Sequence, residues 1–129
     1  MNMKILSGID IVSNLKIKKM MKRTPNSLKD IFSGKEIEYC TGKRYPEQSF
    51  AARFAAKEAI LKAIGSSITK FDLNEIEIVV SVSGKPAVRI NCDALKNEIA
   101  RRIGSKDFTI NVSLAHEKDI SIAQAIIYA

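Results

Sequence analysis

The chain is 129 residues long, 46% hydrophobic and 27% charged, which fits one globular domain over 1–129 and excludes a low-complexity or disordered polypeptide. Two cysteines, Cys40 and Cys92, stand far apart without CxxC spacing, which excludes a disulfide framework and a cysteine-based zinc site and suits a reducing compartment. The net charge of +7 is concentrated, because Lys16, Lys18, Lys19, Lys22, Arg23 and Lys29 follow one another with no acidic residue between them, and a field of one sign points to an anionic partner.

Taken in chain order, KILSGIDIV (4–12) alternates as a strand, with Ile5, Ile9 and Ile11 on one face and Leu6, Asp10 and Val12 on the other. Ser13 or Asn14 can cap a following helix whose Leu15, Met20 and Met21 pack inward, and Thr24-Pro25-Asn26 stops it. SLKDIF is a short helical turn. Ser33 and Glu36 form a capping box that starts a helix from Gly34 to about Cys40. TGKRYPEQ is a loop, and Pro46 suits the first turn of a long helix over about 47–64, with Phe50, Phe54, Leu61 and Ile64 as its core face and Gly65 as its stop.

After the linker SSITKFDLN, IEIVVSVS and AVRIN form a hairpin around the SGKP turn. Asp93 to Ile103 is a helix, capped near Asp93 and ended by Gly104. FTINVSLAHE and DISIAQAIIYA make a second hairpin joined at Glu117-Lys118. The order of elements predicts an α+β fold, with helices packed on a mostly antiparallel sheet. No run approaches the ~18 apolar residues of a transmembrane helix, and the N-terminus lacks a cleavage site, so a soluble cytoplasmic protein with no membrane partner is expected.

Two carboxylates stand out. Asp10 lies inside a strand, where Asp is disfavoured and an unpaired buried charge is costly. Glu58 lies in FAARFAAKEAILKAIG (50–65) among Arg53, Lys57 and Lys62. Locally, Glu58 and Lys62 are one helical turn apart and read as a surface ion pair. Clustered basic residues beside small alanines also suit phosphate oxygens, and two carboxylates with coordination positions to spare suit Mg2+. SGKP is too short for a phosphate-binding P-loop, and His116, the one histidine, belongs to no serine-hydrolase pattern.

GIDIV (8–12), IFSGKEIEYC (31–40), FAARFAAKEAILKAIG (50–65) and VSLAHEKDISIAQAII (112–127) resemble, in order and over nearly the whole chain, the holo-acyl-carrier-protein synthase family. The resemblance implies an enzyme of the phosphopantetheinyl transferase fold. It moves the 4′-phosphopantetheine of coenzyme A to a serine of apo acyl carrier protein, releases adenosine 3′,5′-bisphosphate, and supports fatty acid biosynthesis. It further implies that Asp10 and Glu58 hold Mg2+ and act in catalysis with Lys62, which also holds a phosphate. Arg53, Lys57, Gly84, Lys85, Pro86, Ser113 and His116 would belong to the coenzyme A site. Lys16, Lys19, Met20 and Arg23 would dock the acidic carrier protein. A homotrimer with active sites between subunits is implied, Asp10 and Glu58 coming from one subunit and the hairpin contacts from the next.

Two alternatives remain at this level. A small nucleic-acid-binding domain would use the basic stretch, but aromatic residues are only 6% and no RRM or KH signature is present; no nucleic acid is expected. A catalytically silent carrier-binding module would not need Asp10, Glu58 and Lys62.

Overall fold

The computed structural model describes residues 3–66 and 71–129. Residues 67–70 of the expected linker lie outside the described residues. The first strand, β1, runs Ile5–Ser13 and passes directly into α1 (Asn14–Arg23), where the Ser13 hydroxyl accepts from the Lys16 amide. After a 3-10 turn come α2 (Leu28–Ile31) and α3 (Gly34–Thr41). The capping box forms as expected, with Ser33 Oγ accepting from the Glu36 amide and Glu36 accepting from the Ser33 amide. Pro46 opens α4 (Pro46–Ala63), and Gly65, at φ +69°, supplies the left-handed turn that ends it.

Strands β2 (Ile76–Val80) and β3 (Pro86–Ile90) form the first hairpin. The expected first strand ran on to Ser83, but Ser81 is already in the turn: its amide donates to Lys85 O and its carbonyl accepts from the Gly84 amide. Helix α5 (Asp93–Ile103) has the expected bounds, although Cys92 occupies its N-cap position and makes no side-chain cap. Strands β4 (Thr109–His116) and β5 (Ile120–Tyr128) complete the chain.

All strand pairings are antiparallel. They make a three-stranded sheet of order β1-β5-β4 and a separate two-stranded sheet β2-β3. Helix α4 lies across the larger sheet against β1, β5 and β4, with α1, α3 and β2 closing over it. Its six alanines, Ala51, Ala52, Ala55, Ala56, Ala59 and Ala63, are all buried. The expected amphipathic helix is thus a core helix enclosed on nearly every side, and small residues let the other elements approach it closely. Between α1, α3 and α4 a second core forms from Ile17, Phe32, Cys40, Phe50 and Ala51, with the Phe32 and Phe50 rings 4.8 Å apart. Ile17 takes the inward place expected of Leu15, which is exposed.

The odd-numbered isoleucines of β1 point away from α4 and are exposed by 58% (Ile5), 58% (Ile9) and 60% (Ile11). Both cysteines are free. Burial pushes the Cys40 thiol from its ordinary 9.0 up to about 11. The protonated thiol is therefore favoured by folding: its contribution to stability is full below pH 9 and fades as pH rises through about 11. A thiol reagent at pH 8 is expected to modify half-buried Cys92 in the folded protein and Cys40 only after denaturant is added. Among the described residues no helix is long and apolar enough to cross a membrane.

Candidate active site

Strand β1 and helix α4 bring three of the expected residues together. Asp10 faces α4, with its side chain 14% exposed, and Lys62 Nζ donates to Asp10 Oδ1 at 2.8 Å and to Ile9 O at 3.3 Å. Lys62 therefore pairs with the strand carboxylate, not simply with Glu58 on its own helix. That contact raises the Lys62 pKa. Glu58 is half-buried; its carboxyl is pushed above the ordinary range first by burial and then by the negative charge of Asp10, against the opposing pull of Lys62. Two carboxylates are thus held close enough to repel, with a half-exposed ammonium beside them.

That donor set fits Mg2+, which is usually held by one or two carboxylates plus phosphate oxygens and water. Among the described residues no cluster of three or more His, Cys, Asp or Glu side chains is present. Asp10 and Glu58 are the residues that would hold the ion.

A second region lies on another side of α4. A groove of about 820 Å3 gathers Arg53, Gly84, Lys85, Pro86, Ser113 and His116, and neither Asp10, Glu58 nor Lys62 lines it. Lys43, Arg44, Arg53 and Lys85 face it, with no carboxylate among its lining residues. Arg53 is buried; its guanidinium stacks 4.5 Å from the Tyr39 ring and donates to Ser49 O, yet Nε has no partner among the described residues. A groove lined by four basic side chains suits an anion, and Arg53 lies in its wall. Gly84, at φ +86°, forms the tight turn that presents Lys85. Arg53 and Glu58 are five residues apart, hence about 140° around the helix, which explains why groove and carboxylates are separate in one chain.

The expected docking residues also converge. Lys16, Lys19, Met20 and Arg23 line a shallow groove of about 270 Å3 together with Thr24. Their spacing of three, four and seven places them on one face of α1.

Lys57 is the correction. It was expected in the coenzyme A site, but its side chain is fully buried and donates to Glu36 Oε1 at 2.5 Å, Ile31 O at 2.7 Å and Leu73 O at 3.1 Å. Glu36 also accepts from the amides of Ser33 and Ile78. The pair ties α3 and α4 to β2, and leaves Lys57 no donor for a ligand. Burial lowers its pKa and Glu36 opposes that shift. Lys57→Met is expected to destabilise the fold by ~3–5 kcal/mol, because Glu36 is left as an unpaired buried charge; urea unfolding measures it, and an unchanged midpoint would refute the account.

A family model of the 4′-phosphopantetheinyl transferase superfamily matches residues 7–117. The chain belongs to that superfamily. A holo-[acyl-carrier-protein] synthase of Clostridium novyi (strain NT) is 38% identical over 120 residues, 93% of this chain and 84% of that protein. Two solved structures agree in fold. The holo-(acyl-carrier-protein) synthase of Bacillus anthracis, in complex with CoA (3′,5′-ADP), superposes with TM-score 0.79 at 26% identity over 99% of both chains. That of Helicobacter pylori, in complex with coenzyme A, gives 0.77 at 28% identity over 95% of this chain and 99% of the other. The α+β transferase fold and the enzyme class expected from the sequence both stand, and a nucleic-acid-binding module is not the family found.

Lys43, Arg44 and Tyr39 are among the groove residues that the sequence does not single out. Lys43 and Arg44 fall in what reads only as a loop, and Tyr39 ends a short helix. The Tyr39 ring lies against Lys43 Nζ (4.4 Å) as well as Arg53, an arrangement made by tertiary structure alone. The basic pair before Pro46 was the available signal.

Proposed function

We propose that this transferase moves the 4′-phosphopantetheine group of coenzyme A to a serine of an apo acyl carrier protein with Mg2+, in the cytoplasm and in support of fatty acid biosynthesis. The observation that carries the reading is the basic groove lined by Lys43, Arg44, Arg53 and Lys85, with no carboxylate among its described lining residues. Relatives of the same fold are described in complex with coenzyme A.

In the reaction, the carrier's serine Oγ forms a bond to the pantetheine-side phosphorus, the bond to the bridging oxygen breaks, and adenosine 3′,5′-bisphosphate leaves. The chain needs no nucleophile of its own; positioning and charge neutralisation do most of the work. Arg53 and Lys85 would bind phosphate oxygens of the nucleotide. Lys62, 54% exposed, can turn from Asp10 to a phosphate. Glu58, whose surroundings raise its affinity for a proton, would take the serine's proton. Mg2+, when bound, would polarise the attacked phosphate and stabilise the leaving bisphosphate. The basic face of α1 would steer an acidic carrier, and that steering weakens with salt.

Two features support a homotrimer with sites between subunits. The groove and the carboxylates lie on different sides of α4, so one copy's groove can meet another copy's Asp10 and Glu58. The exposed Ile5, Ile9 and Ile11 adjoin half-buried Ile122 and Ile126 on β5, an apolar face suited to a second copy. The test is direct. Purified protein, apo acyl carrier protein, coenzyme A and Mg2+ are mixed and the carrier's intact mass is followed; the gain of one phosphopantetheine is expected, and no gain would sink the reading.

A further inference from the structure

Asn14, the first residue of α1, is 2% exposed, and Ser121 on β5 is fully buried. Neither has a part in the chemistry above. Their polar atoms are nonetheless all engaged. Asn14 Nδ2 donates to Glu117 O at 2.8 Å and Lys118 O at 3.2 Å, and Asn14 Oδ1 accepts from Ser121 Oγ at 2.7 Å. The Asn14 amide donates to Asp119 O at 2.9 Å. Three consecutive carbonyls of the β4–β5 turn therefore converge on one residue. Ser121 Oγ also lies 3.4 Å from Gln48 O, but a hydroxyl has one proton, and the nearer acceptor is Asn14.

The strand register gives this knot its meaning. Ser121 pairs directly opposite His116, and the carbonyls that Asn14 holds belong to the three residues that follow His116. His116 and Gln48 both line the basic groove. Asn14 is also two residues before Lys16 in the α1 groove and four after Asp10. An apolar side chain would fill space without fixing a turn; an amide with two donors and one acceptor specifies where the turn's carbonyls must sit.

We propose that Asn14, acting through Ser121 and the 117–119 carbonyls, is a positioning residue that sets His116 at the mouth of the nucleotide groove and locks that mouth to the start of the carrier-docking helix. The effect on coenzyme A rests on the function proposed above; the effect on His116 itself does not.

His116 is the only histidine, so its imidazole signals in a proton–carbon NMR spectrum are a clean probe. Asn14→Leu, which keeps the branched shape but none of the hydrogen bonds, and Ser121→Ala are made in the full chain. Both are expected to displace the His116 signals in the ligand-free protein, Ser121→Ala by less. Asn14→Leu is expected to raise KM for coenzyme A about tenfold, on the scale of a small misplacement of a binding group, with kcat and KM for the apo carrier within about twofold. Space-filling alone would leave the His116 signals unmoved in Ser121→Ala, which adds no bulk. If Asn14→Leu does not fold, Ser121→Ala decides on the same readouts. Wild-type His116 signals and coenzyme A KM in the folded variants would overturn the proposal. If the wild-type protein neither binds nor uses coenzyme A, the proposed function fails instead, and the displacement of the ligand-free His116 signals alone decides the role of Asn14.

Discussion

Gly8→Ala is expected to destabilise the protein by about 3 kcal/mol or more and to abolish activity in whatever fraction still folds. A Cβ at Gly8 would stand 2.1 Å from Ala59 O and 2.8 Å from Ala63 N. Both atoms are backbone of α4, so no side chain can swing aside. The strand would have to back away from the helix. Leu6, Asp10 and Val12 share the face of β1 that carries Gly8, and Asp10 meets Lys62 across this same seam. A shift large enough to admit a methyl group would therefore open the 2.8 Å contact between Asp10 and Lys62 and move Asp10 away from Glu58. Gly34→Ala is the control. Its Cβ would meet nothing within 4 Å, it opens α3, and alanine there should be neutral or slightly stabilising. Urea midpoints of the two variants measure the difference; a Gly8→Ala protein as stable and active as wild type would mean that β1 and α4 do not meet as described.

The seam also shows what the sequence could and could not convey. Local rules placed the elements well where the signal was local: the Ser33–Glu36 box, Pro46 at the start of α4, Gly65 and Gly104 after helices, the hairpin at Glu117-Lys118. Helix α4 was harder. A helix surrounded on nearly every side has no apolar stripe to detect, because alanine suffices wherever a neighbour comes close. Lys57 could have been read correctly. Phe50, Phe54, Leu61 and Ile64 mark the core face in the sequence, and Lys57 falls on that stripe at the spacing 50, 54, 57, 61, 64. A lysine there must be buried, and a buried ammonium needs a fixed partner. Its partner Glu36 is 21 residues away in sequence, so the need was legible and the answer was not. Asp10 was the reverse case. Its cost in a strand was visible, and the residue that offsets it, Lys62, had been assigned to Glu58 by helical spacing. Leu15 and the outward isoleucines mark a different limit: an alternating strand says which residues share a face, and not whether solvent or another chain covers it.

Asp10→Asn and Glu58→Gln are each expected to remove Mg2+-dependent turnover, by a factor on the order of 10²–10³ or more, while the fold remains. The second substitution carries the sharper signature. The folded-state pKa of Glu58 is raised above its ordinary 4.5 by burial and by Asp10. Such a group favours folding only while protonated: its contribution is full below pH 4.5 and is lost as pH rises through the elevated value. Above the elevated value that contribution is gone, and the ionised carboxylate is half-buried and repelled by Asp10. Glutamine is uncharged at every pH and removes both the buried charge and its repulsion from Asp10. Glu58→Gln should melt at or above the wild-type temperature at pH 7, and the difference should shrink as pH falls towards 4.5. Gained stability with lost activity is the mark of a residue kept for chemistry at the expense of the fold. Asp10→Asn differs because it takes the partner from Lys62; a modest loss of stability should accompany its loss of rate. Calorimetric melting across pH and the carrier mass assay read the two effects separately. A Glu58→Gln protein less stable than wild type at pH 7 would show that Glu58 supports the fold, and near-normal turnover by either variant would remove that residue from the metal site.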